Sequence, residues 1–131
     1  MTRAELDTAL ARLGLDVPEK ERDEIAAATP LLEDVQKRLL FASVNEACKI
    51  LDEGKALRAS DVDVMWLYGF GFPRYRGGLM YWADTIGVRE VYNQIAAWHQ
   101  RYGERWAPSP LLRRLAESGA PLREAKTDRL R

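Results

Sequence analysis

The segment from Leu31 to Gly54 constrains the fold of this chain more than any other. It reads "LLEDVQKRLLFASVNEACKILDEG", and its apolar residues recur at steps of three and four. The residues of this stripe are Leu32, Val35, Leu39, Leu40, Val44, Ala47, Ile50 and Leu51. Such spacing predicts an amphipathic helix that Gly54 ends. A helix of roughly 22 residues spans ~33 Å, which is enough for the central helix of a small domain.

The spacing of apolar residues predicts helices in the rest of the chain as well. No segment alternates apolar and polar residues for long enough to form a strand. Thr2 and Glu5 have the spacing of a capping box, ahead of a first helix that Gly14 ends. A second short helix is predicted from Pro18 to Thr29, because the residue before a proline disfavours helical geometry. The further helical segments are "SDVDVMWLYG", which Ser60 and Asp63 open, "GLMYWADTIG", Val88 to Gly103, and "SPLLRRLAESG". The sequence therefore predicts an all-α domain, followed by a charged tail, "REAKTDRLR", that frays.

Composition limits the possible functions. The chain has 131 residues, of which 47% are hydrophobic and 31% charged, as in one soluble globular domain. Its 20 basic residues balance 20 acidic ones, so no general attraction to nucleic acid or to anionic membranes is expected. The first residues, "MTRAELDTAL", lack the apolar core of a signal peptide, and no apolar run has the length of a membrane helix. These features predict a cytoplasmic protein.

The stretch "LYGFGFPRYRGGLMYWAD", residues 67–84, crowds glycines, arginines and aromatic residues together. It is not a dinucleotide-binding loop, because Arg74 follows Gly69 and Gly71 where a third small residue is needed. It is not a P-loop either, because its last glycine is not followed by Lys and Ser or Thr.

The same stretch instead predicts a rigid aromatic corner between two helices. Gly69 and Gly71 permit positive φ, and Phe72 must be extended because it precedes Pro73. If all the aromatic side chains of this stretch were exposed, they would form a large apolar patch. Some of them must therefore face a core, a ligand or a partner. The candidate residues for an interface or for the edge of an acyl-CoA site are Tyr68, Phe70, Phe72, Pro73, Arg74, Tyr75, Arg76, Tyr81 and Trp82. The two arginines can bind a phosphate or carboxylate, but the favoured interpretation is that they cap helix carbonyls or meet surface acids.

No catalytic, cofactor-binding or metal-binding residues are predicted. The single Cys48 excludes an intrachain disulfide and fits a small buried residue of the long helix. The single His99 has no Ser or Cys neighbour in sequence, which favours a structural or solvent-facing role. With one residue of each kind, a His/Cys metal site is not expected.

Three blocks of the sequence carry a family resemblance: "RLLFASVNEACKILDEG", "ASDVDVMWLYGFGFPRYRGGLMYWADTIG" and "RWAPSPLLRRLAESG". Together they resemble the C-terminal helical domain of the 3-hydroxyacyl-CoA dehydrogenase family, above all its second copy at the end of multifunctional fatty-acid β-oxidation enzymes. The resemblance implies a compact multi-helix fold like the C-terminal domain of 6-phosphogluconate dehydrogenase. It covers residues 31–119, between a helical N-terminal extension, residues 1–30, and a charged tail, residues 120–131.

The resemblance also implies a function. Family members join an enoyl-CoA hydratase/isomerase domain, an NAD-binding Rossmann domain and two helical domains. NAD and the catalytic His–Glu pair belong to the Rossmann domain, so this chain is expected to hold no cofactor and to be inactive alone. Lys37 stands where the first helical copy has a functional asparagine, so that role does not transfer.

The expected role is therefore a non-catalytic one. The domain would support domain packing, dimerisation and the acyl-CoA site of a catalytic partner. The expected partner is a sister helical or Rossmann domain, or a second copy in a homodimer, and acyl-CoA is a candidate ligand. The alternative is a stand-alone helical interaction module that has kept the fold and lost the pathway.

Overall fold

The computed structural model describes residues 1–127, apart from the side chain of Leu32. Every regular element in this range is helical, which confirms the all-α prediction. The α-helices are α1 (Arg3–Leu13), α2 (Glu19–Asp52), α3 (Ala59–Gly69), α4 (Leu79–Ile86), α5 (Val88–Tyr102) and α6 (Pro110–Ser118). Single 3-10 turns lie at Arg74–Arg76, Glu104–Trp106 and Leu122–Glu124. The chain divides into two compact units, residues 1–39 and the part from Leu40 onward.

The first unit begins with the predicted capping box. The Thr2 hydroxyl accepts a hydrogen bond from the Glu5 N–H at 3.2 Å, and the Glu5 carboxylate accepts one from the Thr2 N–H at 2.7 Å. Gly14 ends α1 in the left-handed conformation, at φ 64°. Arg3 forms ion pairs with Asp23 and with other acidic side chains of this unit. Local capping and surface charge pairs thus organise α1.

α2 differs from the prediction of two helices, because it continues without a break through Pro30. The carbonyl of Ala26 loses its usual helical donor, but Pro30 is exposed, so water can take the place of the missing hydrogen bond. Burial does not follow the first half of the predicted apolar stripe, since Val35 is 45% and Leu39 65% exposed. Leu32, whose side chain lies outside the described part, belongs to the same half.

The second unit has a continuous apolar core around Phe41. The Phe41 ring lies 6.0 Å from the rings of both Trp82 and Trp98, centroid to centroid, which joins α2 to α4 and α5. The largest fully buried apolar side chains with Phe41 are Leu51, Leu79, Met80, Ile95, Leu111, Leu112, Leu122, Val44 and Val91. Val44, Ala47 and Leu51 of the predicted stripe are buried in this core, whereas Phe41 was not among the predicted stripe residues.

Residues 123–127 of the predicted tail pack onto the second unit, which corrects the prediction that they fray. Leu122 is fully buried, and the N–H of Ala59 donates to the carbonyl of Ala125 at 2.8 Å. The N–H of Thr127 donates to the carbonyl of Leu57, also at 2.8 Å. The charges of this segment concealed its alternating buried residues. Residues 128–131 of the predicted tail lie outside the described part.

Candidate interaction surface

The loop between α3 and α4 makes the fixed bend that the glycines predicted. Gly71 has φ 67°, as expected, whereas Gly69 is the last residue of α3 and does not need positive φ. After the 3-10 turn Arg74–Arg76, Gly77 and Gly78 have φ 74° and 102° and lead the chain into α4. Three glycines therefore set the path of this loop.

Asp63 holds the far end of the loop in place. Its carboxylate accepts hydrogen bonds from the N–H of Met80 at 2.6 Å and from the N–H of Tyr81 at 3.3 Å, which caps α4. Burial raises the pKa of Asp63, and the two N–H donors act in the opposite direction. The predicted role of Asp63 in opening α3 is taken by Asp61, which accepts from the N–H of the preceding Arg58.

Two further polar side chains fix backbone segments of the same unit. Asn45 donates to the carbonyl of Ala107 at 3.0 Å and accepts from the N–H of Ser109 at 2.7 Å, at the start of α6. Asp84 accepts from the N–H groups of residues 122–123 at 2.6 and 2.9 Å. Each of these side chains thus binds two backbone groups that precede or follow a helix, which stabilises the connections between helices.

The aromatic residues of the loop divide between core and surface. Phe72 packs edge-on against Trp66 at 5.8 Å, and Phe70 lies 4.9 Å from the same ring. Trp82 is only 8% exposed and belongs to the core. The other candidate residues are exposed or half-buried: Tyr68 (74% exposed), Phe70 (66%), Tyr75 (82%) and Tyr81 (49%), with Pro73 and Arg74 exposed and Phe72 and Arg76 half-buried. The loop therefore presents aromatic rings at the surface on a packed base.

Both arginines of the turn lie over tyrosine rings. The Arg74 guanidinium is 5.5 Å from the centroid of Tyr68, and the Arg76 guanidinium is 5.6 Å from that of Tyr75. Arg76 Nε also donates to the Tyr75 hydroxyl at 3.2 Å. Neither guanidinium forms an ion pair with a carboxylate of residues 1–127. The favoured interpretation, in which the arginines cap carbonyls or meet surface acids, is thus not what the structure shows.

An open groove of about 530 Å³ lies between α2 and α3 in the second unit. Its lining is mainly apolar and consists of Ser43, Glu46, Ala47, Ile50, Lys55, Ala56, Leu57, Asp61, Val62, Met65, Trp66 and Phe70. The α2 residues of this lining lie at positions i, i+3, i+4 and i+7, so they share one helix face. Sequence reasoning missed the groove because Ala47 and Ile50 belong to the predicted apolar stripe, and only the position of α3 beside this face makes it concave.

The groove and the aromatic loop form one continuous surface. Asp61, Met65 and Tyr68 are spaced i, i+4 and i+7 on α3 and therefore share a face. Asp61 and Met65 line the groove, and Arg74 lies over Tyr68. Trp66 and Phe70, whose rings contact each other at a tilted angle, line the groove next to the loop. We call this continuous region the groove–loop surface.

The two residues considered as catalytic candidates have other roles. Burial, aided by the charge of Asp52, raises the pKa of the Cys48 thiol to about 12, so it stays protonated. His99 Nε2 lies 3.0 Å from Glu104 Oε1, a partner that the sequence analysis did not identify, but Glu104 is 91% exposed at a helix end. Within residues 1–127, no cluster of three His, Cys, Asp or Glu side chains is arranged to hold a metal ion. In the same range, no helix combines the length and the apolar character required to cross a bilayer.

Fold and surface together define an all-α domain with polar side chains that fix its connections and an apolar groove beside an arginine-rich aromatic loop. A family model described as "3-hydroxyacyl-CoA dehydrogenase, C-terminal domain" matches residues 35–128. This match covers most of the chain, and it confirms the resemblance inferred from the sequence. The chain belongs to the family of 3-hydroxyacyl-CoA dehydrogenase C-terminal domains.

Named relatives share the domain within much longer proteins. The chain is 42% identical over 96 residues to the peroxisomal fatty acid beta-oxidation multifunctional protein AIM1 of Arabidopsis thaliana, which covers 73% of this chain and 13% of that protein. It is 42% identical over 89 residues to the glyoxysomal protein MFP-a of Brassica napus, covering 68% of this chain and 12% of that protein. It is 34% identical over 91 residues to the human peroxisomal bifunctional enzyme, covering 68% of this chain and 13% of that enzyme. The chain thus spans about an eighth of these relatives.

The names of these relatives correct the expected location. They are peroxisomal or glyoxysomal proteins, so the prediction of a cytoplasmic protein is wrong. That prediction was based on the lack of apolar leader and membrane segments. Import into peroxisomes relies on a short address that a receptor reads, and such an address leaves no mark on hydropathy or composition.

Proposed function

We propose that this domain is the non-catalytic helical domain of a multifunctional fatty-acid β-oxidation enzyme, in which it packs against a sister helical domain. One observation carries the proposal. The groove–loop surface is apolar and exposed, although the unit that bears it is otherwise well packed and fixed by Asn45, Asp63 and Asp84. Exposed apolar surfaces of this kind mark interaction sites.

The sister helical domain is the occupant that fits the family best. It would bury Met65, which is 47% exposed, and Phe70, which is 66% exposed. Where the sister domain is missing, a second copy of the chain takes its place, and a two-fold homodimer is the simplest such assembly. In either assembly the aromatic loop would lie near the acyl-CoA site of the catalytic partner and support it.

The compartment that goes with this role is the peroxisome, as in the named relatives. The alternative function, a stand-alone interaction module, would use the same surface for a partner outside β-oxidation. The two functions differ in one respect that can be measured, namely whether the domain assembles with the remainder of a β-oxidation enzyme.

A complementation experiment tests the proposal. The Arabidopsis relative would be produced without the segment that matches this chain, and the present chain would be added in trans. We expect the two to co-purify and 3-hydroxyacyl-CoA oxidation to increase, because the missing packing surface is restored. Met65→Lys should prevent both effects, whereas Leu13→Lys on α1 serves as the control, because Leu13 is an exposed apolar residue outside the groove. Failure of the unsubstituted chain to associate would contradict the proposed role and favour the stand-alone module.

A further inference from the structure

We propose that the groove–loop surface binds an amphipathic helix of the partner whose apolar side lies in the groove and whose carboxylates bind Arg74 and Arg76. This inference deepens the proposed function and rests on it, because it names the chemistry that the partner must present. It assigns the groove to apolar anchoring and the turn to recognition of acidic side chains.

The shape of the groove favours a helix. Its walls are one face of α2, from Ser43 to Ile50, and one face of α3, from Asp61 to Met65. Seven residue steps along α2 correspond to roughly 10 Å, or about two helical turns. A partner helix with apolar residues at i, i+3 or i+4, and i+7 has its anchors over the same length, as in other helix-in-groove complexes.

The state of the two arginines favours an acidic partner. Each guanidinium lies over a tyrosine ring, a contact that favours one orientation of the group, and neither pairs with a carboxylate of residues 1–127. A guanidinium that is already oriented loses less freedom when it forms paired hydrogen bonds with a carboxylate. Lys55, which also lines the groove, differs from the two arginines because it already has an acidic partner: its ammonium lies 2.7 Å from the Glu53 carboxylate.

The charges also give the surface a direction. Asp61 lines the groove near the start of α3, and Arg74 lies over Tyr68 near the end of the same helix. A partner helix with its carboxylates at the Tyr68 end satisfies the arginines and avoids the charge of Asp61. The surface therefore distinguishes partner helices by where their acidic residues lie, as well as by their apolar stripe.

Synthetic peptides test this inference directly on the full chain. Three fluorescein-labelled amphipathic helices would share one leucine stripe and differ only in two residues at one end, which are Glu, Gln or Lys. Fluorescence anisotropy gives their affinities at low and high salt. We expect the Glu peptide to bind about tenfold more tightly than the Gln peptide, with the Lys peptide weakest, and the preference to shrink at high salt.

Variants assign the effect to the proposed groups. Replacing both arginines, Arg74→Gln with Arg76→Gln, should abolish the preference for the Glu peptide and leave the binding of the Gln peptide unchanged. Arg101→Gln is the matched control, because the Arg101 guanidinium also stacks on a tyrosine, Tyr102, at 5.3 Å. Met65→Lys should weaken all three peptides together. Circular dichroism would verify that each variant is folded.

Several results would overturn the inference. Equal affinities for the Glu and Gln peptides would remove the acidic requirement and leave the proposed packing role intact. Peptide binding that Met65→Lys does not weaken would place the helix outside the groove. Coenzyme A that displaces the Glu peptide, and whose own binding is lost in the double arginine variant, would assign the arginines to a phosphate. Co-purification with the truncated relative, tested separately, decides whether the proposed function itself stands.

Discussion

The Cβ of Asp63 lies where a side chain on Gly78 would have to go. A Cβ built on Gly78 falls 2.5 Å from the Cβ of Asp63 and 2.8 Å from one of its carboxylate oxygens. The same carboxylate caps α4 through the N–H groups of Met80 and Tyr81. The close approach of α3 to the start of α4 therefore depends on the absence of a side chain at this one position.

We expect Gly78→Ala to destabilise the domain far more than Gly71→Ala. Both glycines have positive φ, which costs an alanine about 1–2 kcal/mol. Only at Gly78 does the added methyl group also overlap another residue, which adds roughly 1–3 kcal/mol. Urea denaturation of the two variants measures the difference. Equal midpoints would show that the α3–α4 contact adjusts without cost.

Gly71→Val should in turn cost more stability than Arg74→Ala. A β-branched residue resists the φ of 67° found at Gly71, whereas loss of an exposed arginine changes stability by about 0–1 kcal/mol. The space around Gly71 is open, so any cost at this position reports backbone strain alone. Thermal midpoints that coincide for the two variants would refute the rigid corner.

Asn45→Ala should destabilise the domain by about 2–4 kcal/mol, because it leaves one buried and one partly buried backbone group without a partner. These are the carbonyl of Ala107 and the N–H of Ser109. Asn93→Ala is the control, since Asn93 is an exposed asparagine of α5. Chemical denaturation should give Asn93→Ala nearly the same free energy of unfolding as the unsubstituted chain. A similar loss of stability in both variants would argue against a special role for Asn45.

The stability contributed by Asp63 should increase as the solution becomes acidic. Its folded-state pKa is raised above the usual 3.8, so this carboxylate takes up a proton at a higher pH in the folded chain than in the unfolded chain. Protonation removes the cost of a buried charge, and the free energy of unfolding therefore rises as the pH falls through the raised pKa toward 3.8. Asp63→Asn should lack this change.

Urea melts of the unsubstituted chain and of Asp63→Asn, from neutral pH downward, measure the effect as a difference. Glu5 provides an internal contrast, because its hydrogen bonds with Thr2 lower its pKa below 4.5. Its contribution is present above 4.5 and is lost as the pH falls through the lowered value. The free energy of unfolding of the unsubstituted chain could instead fall relative to that of Asp63→Asn as the pH is lowered. This result would mean that the hydrogen bonds of Asp63 to α4 outweigh the cost of burying its charge.

The isolated chain should not oxidise 3-hydroxyacyl-CoA with NAD. The described elements are helical, with no strand from which a dinucleotide-binding loop could lead, and the His99–Glu104 pair lies at an exposed helix end. NADH absorbance on purified protein is the measurement, with a complete multifunctional enzyme as positive control. Robust turnover, and its loss in His99→Ala, would identify this pair as catalytic and overturn the prediction.

In the absence of a sister domain, the chain should form a homodimer at micromolar concentration. Light scattering should give twice the monomer mass of 14.9 kDa. Met65→Lys should return the mass to that of a monomer, because it places a charge in the groove, whereas Leu13→Lys should not. A monomeric unsubstituted chain would limit the groove–loop surface to partners other than itself.

Local patterns predicted the helices and the core of the second unit well. The spacing from Leu40 to Leu51, the glycine ends of the helices and the bend at Gly71 all depend on a few neighbouring residues. The continuation of α2 through Pro30 was not predictable in this way. It depends on the solvent exposure of Pro30, which only the folded chain reveals.

The candidate surface was predictable only in part. The aromatic loop was evident from its composition, but its division into exposed Tyr68 and buried Trp82 depends on how α4 turns toward Phe41. The groove combines residues that are up to 27 positions apart in the chain, from Ser43 on α2 to Phe70 just after α3. The partners of Asn45 and Asp84 lie still farther along the chain. A single sequence contains no periodicity that links such distant positions.

The buried thiol of Cys48 gives this domain an internal chemical probe of its own opening. A reagent such as an alkylating maleimide cannot reach a side chain with no exposed surface, and a pKa of about 12 leaves almost no reactive thiolate. Labelling therefore requires that α2 separate from the rest of the unit. Since Cys48 is the only cysteine, the labelling rate of the whole protein follows this single event. Ala47, the neighbour of Cys48, lies in the α2 wall of the groove, so a partner bound in the groove would slow the labelling of Cys48. The fraction of the protein with a bound partner could therefore be measured by mass spectrometry of the labelled protein in a crude cell extract.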